Sequence, residues 1–143
     1  LLDEMALCES YLSIEKYRFD KKLKVTWQLP DEDLLYDMVI TSLSLQMVIE
    51  KLIVLIVENS TDLIDITITI DWQNDVAKID VEIELPTTTY QLICQDIHQK
   101  LQFNSQLAIL RQYFGHKASI HFELSGHLLV TQIRYPLKDV AAF

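Results

Sequence analysis

The chain has 143 residues, half of them hydrophobic and 23% charged, which is typical of one soluble globular domain with a substantial core. Acidic residues outnumber basic ones by 21 to 12, and the net charge of −9 argues against binding to nucleic acid or to an anionic membrane surface. The longest apolar run, residues 52–57, is too short to span a bilayer, so we expect no membrane insertion of this chain.

The N-terminal segment predicts a helix followed by a strand. Residues 2–19 repeat apolar side chains at helical spacing, which predicts a leading helix. Residues 23–29 alternate apolar with polar side chains, the pattern of a half-buried strand, and residues 30–37 follow as a loop.

A second helix is predicted from Ser42 or Ser44, either of which could cap it, to about Val57. Glu50 and Lys51 are its only charged residues. A helix that is apolar on nearly all sides is buried on most of its surface, so we expect this one to lie in the core.

Two hairpins are predicted in the rest of the chain. Residues 64–72 and 77–85 alternate strictly between apolar and polar side chains, and the segment QNDV joins them. Residues 119–137 form the second hairpin, with its turn at Ser125-Gly126 and the return strand beginning in phase with Leu129 or Val130.

Two amphipathic helices are predicted between the hairpins, over residues 88–101 and 103–114. The order helix, strand, helix, hairpin, helices, hairpin indicates an α+β fold with one mostly antiparallel sheet and helices on one face. No linker or repeat divides the chain, so one domain is predicted: a leading helix at 1–20, a sandwich core at 21–137 and a tail at 138–143.

The ionisable residues offer no recognisable catalytic or metal-binding pattern. No two histidines stand four residues apart on one helix beside acids, so no metal site is predicted. The histidines are His98, His116, His121 and His127, of which His121 should be an exposed strand residue. Five strand acids fall in the solvent-facing phase: Asp65, Asp71, Asp80, Glu82 and Glu84.

The cysteines and the start of the chain indicate its compartment. Cys8 and Cys94 lack metal-ligand spacing and are predicted to be free thiols in a reducing environment. No signal peptide is recognisable, and the sequence begins within a helical pattern without Met. We therefore expect a cytoplasmic piece of a longer protein, which could be anchored in the inner membrane.

One segment carries a family resemblance. Residues 8–27, CESYLSIEKYRFDKKLKVTW, resemble the start of the ATPase domain in LytS/AlgZ-type sensor histidine kinases. The matching positions are Glu9, Tyr11, Leu12, Ile14, Glu15, Arg18 and Phe19. The order of elements also resembles the GHKL (Bergerat) ATPase fold as far as the final RYPL at 134–137. The resemblance implies a two-layer α/β sandwich with a mixed, mostly antiparallel sheet.

The resemblance implies a nucleotide-binding motif, the N-box, which in this family reads Leu-Gln-Pro-Leu-Val-Glu-Asn. Its Glu activates or orients a water molecule and its Asn holds Mg²⁺. Residues 45–51, LQMVIEK, keep the Glu as Glu50 and replace the Asn by Lys51. An alternative alignment on residues 57–59, VEN, would keep both residues.

Spacing favours the first alignment. Ile66 on the next strand lies fifteen positions after Lys51, which leaves room for the family's further helical turns, but only seven positions after Asn59. Asn59 is better explained as a C-terminal cap. A protonated Lys51 has three donors and no lone pair, so it cannot coordinate Mg²⁺.

The other two nucleotide motifs of the family also have no good match. The adenine-binding Asp is replaced by Leu85, or in another register by Ile83, and Pro86, Thr87 and Thr88 replace the glycines that follow it. The glycine-rich phosphate loop is replaced by a segment containing the bulky Phe103 and Leu107, and the chain has only 2 glycines. The predicted helix at 88–101 could cover the vacated pocket.

These replacements imply a degenerate, pseudokinase-like domain of a two-component sensor kinase that binds neither ATP nor Mg²⁺. It would act through contacts with a response regulator or with the dimerisation helices of its own or a partner kinase, and the full-length protein could form a homodimer. The rival expectation is an active kinase domain with Glu50 as the base, Lys51 on phosphate, and the pocket around Leu85 and Thr87 holding Mg-ATP. A third is a small apolar ligand in a pocket beside Leu85 and Lys51.

Overall fold

The computed structural model describes residue 10 and residues 23–28, 44–56, 63–73 and 76–136. Nearly all of the predicted leading helix lies outside these residues, although Ser10 is helical. The predicted loop at 30–37, the proposed cap Asn59 and the tail at 138–143 also lie outside the described residues.

The described elements follow the predicted order of strands and helices. In chain order they are β1 (Leu23–Gln28), α1 (Ser44–Ile56), β2 (Ile64–Gln73), β3 (Val76–Glu84), α2 (Thr87–Ile93), α3 (Ile97–Lys100), α4 (Asn104–Phe114), β4 (Ser119–Ser125) and β5 (Leu128–Pro136). None of the helices in the described part of the chain is both long and apolar enough to cross a membrane.

The five strands form one mixed sheet in the order β1-β2-β3-β5-β4. β1 runs parallel to β2, and the other three pairings are antiparallel. The long segment between β1 and β2, which contains α1, supplies the crossover that a parallel pair requires. The predicted mixed, mostly antiparallel sheet is therefore confirmed.

One face of the sheet carries the core, as the period-2 pattern predicts. Ile66, Ile68 and Ile70 of β2 are buried opposite Ile83 and Ile79 of β3, in the register set by the hairpin. Each of these side chains contributes about 1.5–3 kcal/mol when it leaves water. Buried side chains of α1 and α4 complete this core, which confirms helices on one face of the sheet.

The opposite face is polar. Asp65, Asp71 and Glu84 are exposed as predicted, whereas Asp80 and Glu82 are half-buried between neighbouring strands. Polar side chains also pair across the strands on this face. Gln132 Nε2 donates to Asp80 Oδ1 at 2.9 Å, and Thr69 Oγ1 lies 3.1 Å from Gln28 Oε1.

The prediction of one helix over residues 88–101 is wrong. The segment forms α2 and α3, separated by a turn at residues 94–96. Asp96, with φ −121° and ψ 22°, leaves the helical conformation and interrupts the helix. The apolar face is nevertheless buried at Ile93, Ile97 and Leu101, because the turn preserves the direction of these side chains toward the core.

The second hairpin turns one residue later than predicted. Ser125 pairs with Leu128, so the two-residue loop is Gly126-His127 rather than Ser125-Gly126. Gly126 adopts φ +58°, which favours glycine at the first loop position. The sequence allowed either Leu129 or Val130 to begin the core-facing series of the return strand. The structure buries Leu129, so the series begins there.

Candidate functional site

α1 presents the two charged residues of the predicted N-box on its outer side. Its core-facing residues are Leu45, Val48, Ile49, Leu52, Ile53 and Ile56. The helical repeat then places Met47, Glu50, Lys51 and Val54 together on the other side. Glu50 is exposed and Lys51 is half-buried.

Lys51 contacts the segment that leads into α4. Its Nζ donates a hydrogen bond to the backbone carbonyl of Gln102. The same Nζ lies 6.0 Å from the centroid of the Phe103 ring, within reach of a weak cation–π interaction. The side chain that the predicted N-box alignment places at the metal-binding Asn is therefore held by a contact within the protein.

A shallow groove of about 250 Å³ lies beside this contact. It is lined by Met47, Glu50, Lys51, Val54 and Gln106. Gln106 is only 7% exposed, and its Oε1 has no hydrogen-bond partner among the described residues. Sequence reasoning missed Gln106, although its position in the buried phase of α4, between Phe103 and Leu110, was a usable signal.

Leu85 and Thr87 do not join Lys51 in this groove. Leu85 is 2% exposed and belongs to the core, and its backbone N–H donates to the carbonyl of His127 at 2.8 Å. Thr87 is exposed at the first position of α2. Within the described part of the chain, the groove at Lys51 is not lined by Leu85, which packs in the core.

The α2–α3 segment is attached to the second hairpin by ring contacts. Tyr90 of α2 stacks on His127 at a centroid distance of 4.4 Å. His98 of α3 lies 5.1 Å from the ring of Phe122 on β4. Phe103 meets the same Phe122 ring edge-on at 6.4 Å. The Tyr90 and His98 contacts hold the α2–α3 segment against the second hairpin.

The start of α4 does not resemble a phosphate-binding helix start. Phe103 stands at the N-cap, its side chain is buried, and no side-chain hydrogen bond caps the helix. Neither of the chain's glycines, Gly115 and Gly126, lies near this end of α4. Backbone N–H groups can cradle a phosphate only where small residues allow close approach, and Phe103 does not.

No group of three or more metal-ligating side chains occurs among the described residues. Glu50, the carboxylate that lines the groove, has Lys51 as its charged neighbour there. The groove can therefore offer a ligand one acceptor carboxylate, one amide and one amine that is already hydrogen-bonded.

Comparison with protein-family models and with curated protein sequences gives no match. Solved structures do match. The nucleotide-free catalytic domain of histidine kinase ThkA has 15% identity and a TM-score of 0.66, over 95% of this chain and 93% of that chain. Histidine kinase AdeS of Acinetobacter baumannii has 18% identity and a TM-score of 0.60, over 93% of this chain and 64% of that chain.

A third match is ThkA in complex with the response regulator TrrA, with 13% identity and a TM-score of 0.63. This chain is covered to 95%, but it spans only 40% of that kinase chain. At these identities the likeness establishes the fold alone. The chain has the fold of histidine kinase catalytic domains, which confirms the predicted fold class.

Proposed function

We propose that the chain is a degenerate ATPase-like domain, a pseudokinase domain, of a LytS/AlgZ-type sensor histidine kinase in a two-component system. The fold of histidine kinase catalytic domains supports the broader part of this proposal. The match of residues 8–27 to the start of the LytS/AlgZ-type domain supports the narrower part. In this proposal the domain binds neither ATP nor Mg²⁺.

The contact between Lys51 and the Gln102 carbonyl carries the proposal. A metal-binding Asn offers an oxygen, whereas the Lys51 ammonium offers only donors and repels a cation. Its hydrogen bond to Gln102 also ties α1 to the segment that leads into α4. A nucleotide phosphate at this place would have to break that contact and displace Phe103.

Two further replacements support loss of the nucleotide site. Leu85, at the position of the adenine-binding Asp, is a buried core residue with no acceptor to offer the adenine amino group. Phe103 closes the helix start where the family has glycines. Each of the three motifs is thus replaced by residues that stabilise the fold instead of binding a ligand.

A domain of this kind acts through protein contacts. ThkA, whose catalytic domain has the same fold, was solved in complex with the response regulator TrrA. By analogy we infer a response regulator as one partner, and the dimerisation helices of the same or a partner kinase as another. The cytoplasm is the compartment in which such contacts occur, and a homodimer of the full-length protein is the expected assembly.

The groove beside α1 favours a second candidate, an active kinase domain with an atypical N-box. Glu50 is exposed in this groove, as a water-activating carboxylate would need to be, and Lys51 stands next to it. In that mechanism Lys51 would leave Gln102 and bind the phosphates, and Glu50 would orient the attacking group.

Calorimetric titration of ATP, with and without Mg²⁺, separates the two candidates. The degenerate domain shows no saturable binding up to millimolar nucleotide. Micromolar binding that depends on Mg²⁺ would overturn the proposal and establish the second candidate. In that case a Glu50→Gln variant should retain binding and lose phosphoryl transfer. Glu123→Gln, which alters an exposed carboxylate of β4 on the opposite face of the sheet, serves as the matched control.

A further inference from the structure

Basic and hydroxyl side chains form a row at one end of the sheet, on the face opposite the core. Arg134 of β5 pairs in register with Lys78 of β3 on one side and with Ser119 of β4 on the other. Adjacent strands are about 4.8 Å apart, so these three side chains are immediate neighbours on one surface. α1 packs on the other face, so this row is separate from the groove at Lys51.

The turn before β4 adds Lys117 to this row. Gly115 has φ +82°, and the N–H of Ala118 donates to the Gly115 carbonyl at 3.2 Å. Arg111 Nε donates to the carbonyl of Ala118 at 3.1 Å, which ties the turn back to α4. Because Ala118 is itself buried, the turn has a fixed position, and Lys117 is presented next to Ser119.

These residues surround a cavity of about 210 Å³, lined by Val76, Lys117, Ser119, Arg134 and Pro136. Its volume exceeds that of a carboxylate or a phosphate group. Apolar Val76 and Pro136 pair with each other in the sheet and supply the apolar part of the lining. Lys117, Arg134 and Ser119 supply the rest of it.

Neither cation of the cavity is neutralised within the described part of the chain. Lys78 is paired with Asp80 at 3.6 Å and Lys100 with Asp96 at 3.3 Å, but Lys117 and Arg134 form no ion pair or hydrogen bond with a described side chain. Asp71 is in register with Lys78, one strand further from Arg134. Unpaired cations that face one cavity are notable in a chain with 21 acidic residues and 12 basic ones.

We propose that this cavity is an oxyanion-binding site, which takes a carboxylate or a phosphate group. Arg134 can donate two parallel hydrogen bonds to either group, Lys117 adds a second positive charge, and the Ser119 hydroxyl adds a neutral donor. The net charge of −9 repels anions at long range, so recognition depends on these short-range contacts. The ligand is free phosphate or the acidic side chain of a protein partner.

An NMR titration at low ionic strength tests the site, with inorganic phosphate in one arm and a tetraglutamate peptide in the other. Saturable shifts of the amide signals of Lys117, Ser119 and Arg134 are expected with at least one of the two probes. The probe that produces them shows whether the site takes free phosphate or the acidic side chains of a protein. The double variant Lys117→Gln, Arg134→Gln should bind at least about tenfold more weakly, because it loses both charge-assisted contacts.

Lys24→Gln is the matched control, since Lys24 is an exposed strand cation on β1, at the opposite edge of the same sheet. Its titration should equal that of the unaltered chain. The proposal is wrong if chloride at equal ionic strength produces the same shifts, if the double variant retains the affinity, or if neither probe binds. The amide spectrum of the double variant away from the site also shows whether it is folded.

Discussion

Leu85→Asp places a carboxylate at the position that the family resemblance aligns with the adenine-binding Asp, and we expect it to destabilise the domain strongly. Leu85 is 2% exposed within the core, so the substitution removes a buried side chain. That loss alone costs about 2–5 kcal/mol. An unpaired buried carboxylate adds a further cost of about 3–5 kcal/mol. The sum is comparable with the roughly 5–15 kcal/mol that stabilise a typical domain.

The cost of Leu85→Asp should depend on pH in a definite direction. Burial raises the pKa of the introduced carboxyl group in the folded state above its ordinary value of about 3.9. The folded state then binds more protons than the unfolded state, so the free energy of unfolding falls as pH rises from about 4 to 8. Leu85→Asn has a similar shape without the charge and should lack this added pH dependence.

Urea denaturation followed by far-ultraviolet circular dichroism, at pH 5 and at pH 8, measures both effects. Leu85→Asn should lose about 2–5 kcal/mol at both values, and Leu85→Asp should lose distinctly more at pH 8 than at pH 5. The reasoning is refuted if Leu85→Asp lies within about 1 kcal/mol of the unaltered chain at pH 8. That outcome would mean that position 85 opens to solvent, as an adenine pocket would.

Three other substitutions give further checks by urea denaturation. Lys51→Met keeps the apolar stem but loses the donor to Gln102, and should cost about 0.5–1.5 kcal/mol and speed amide hydrogen exchange at residues 101–106. Gly115→Ala places a side chain at φ 82° and ψ −173°, a region that only glycine adopts readily, and should cost about 1–3 kcal/mol. Burial raises the pKa of the Tyr135 hydroxyl, which has no hydrogen-bond partner within the described part of the chain. Tyr135→Phe should therefore preserve or increase the free energy of unfolding at pH 7. Above about pH 10, where the unfolded tyrosine ionises, this free energy should fall less for Tyr135→Phe than for the unaltered chain. An equal fall in both proteins above that pH would contradict this expectation.

The strands could be predicted from the sequence because their pattern is strict. Alternation over residues 64–72 and 77–85 leaves one register in which every isoleucine faces the core, and the structure adopts it. α1 was equally predictable, since Glu50 and Lys51 are its only charges. Such patterns determine an element because burying the wrong face would cost several kcal/mol.

Local breaks were not predictable from periodicity. The apolar positions of residues 88–101 fit one helix, and nothing in the pattern shows that Asp96 leaves the helical conformation. Likewise, Ser125-Gly126 and Gly126-His127 are both acceptable turns, and only the pairing of Ser125 with Leu128 decides between them. Such choices depend on small differences in backbone energy, which tertiary packing readily outweighs.

The contacts at the site join residues that are far apart in the sequence, so local sequence patterns do not predict them. The Lys51 position was found from the motif, but its bond to Gln102 spans 51 residues. Gln106 was missed because a single polar residue among the apolar positions of a helix does not change the periodicity that predicts the helix. The row of Arg134, Ser119 and Lys117 follows from sheet order, which sequence spacing alone does not specify.

Thermal unfolding in the presence of Mg-ATP tests the central claim most directly, because any ligand that binds only the folded state must stabilise it. At 5 mM Mg-ATP, a site with a dissociation constant of about 50 μM would add about 2.7 kcal/mol, a rise in Tm of roughly 5 to 10 °C. The degenerate site predicts no rise beyond that seen with Mg²⁺ alone. A Tm increase of that size, abolished by leaving out Mg²⁺, would contradict the account.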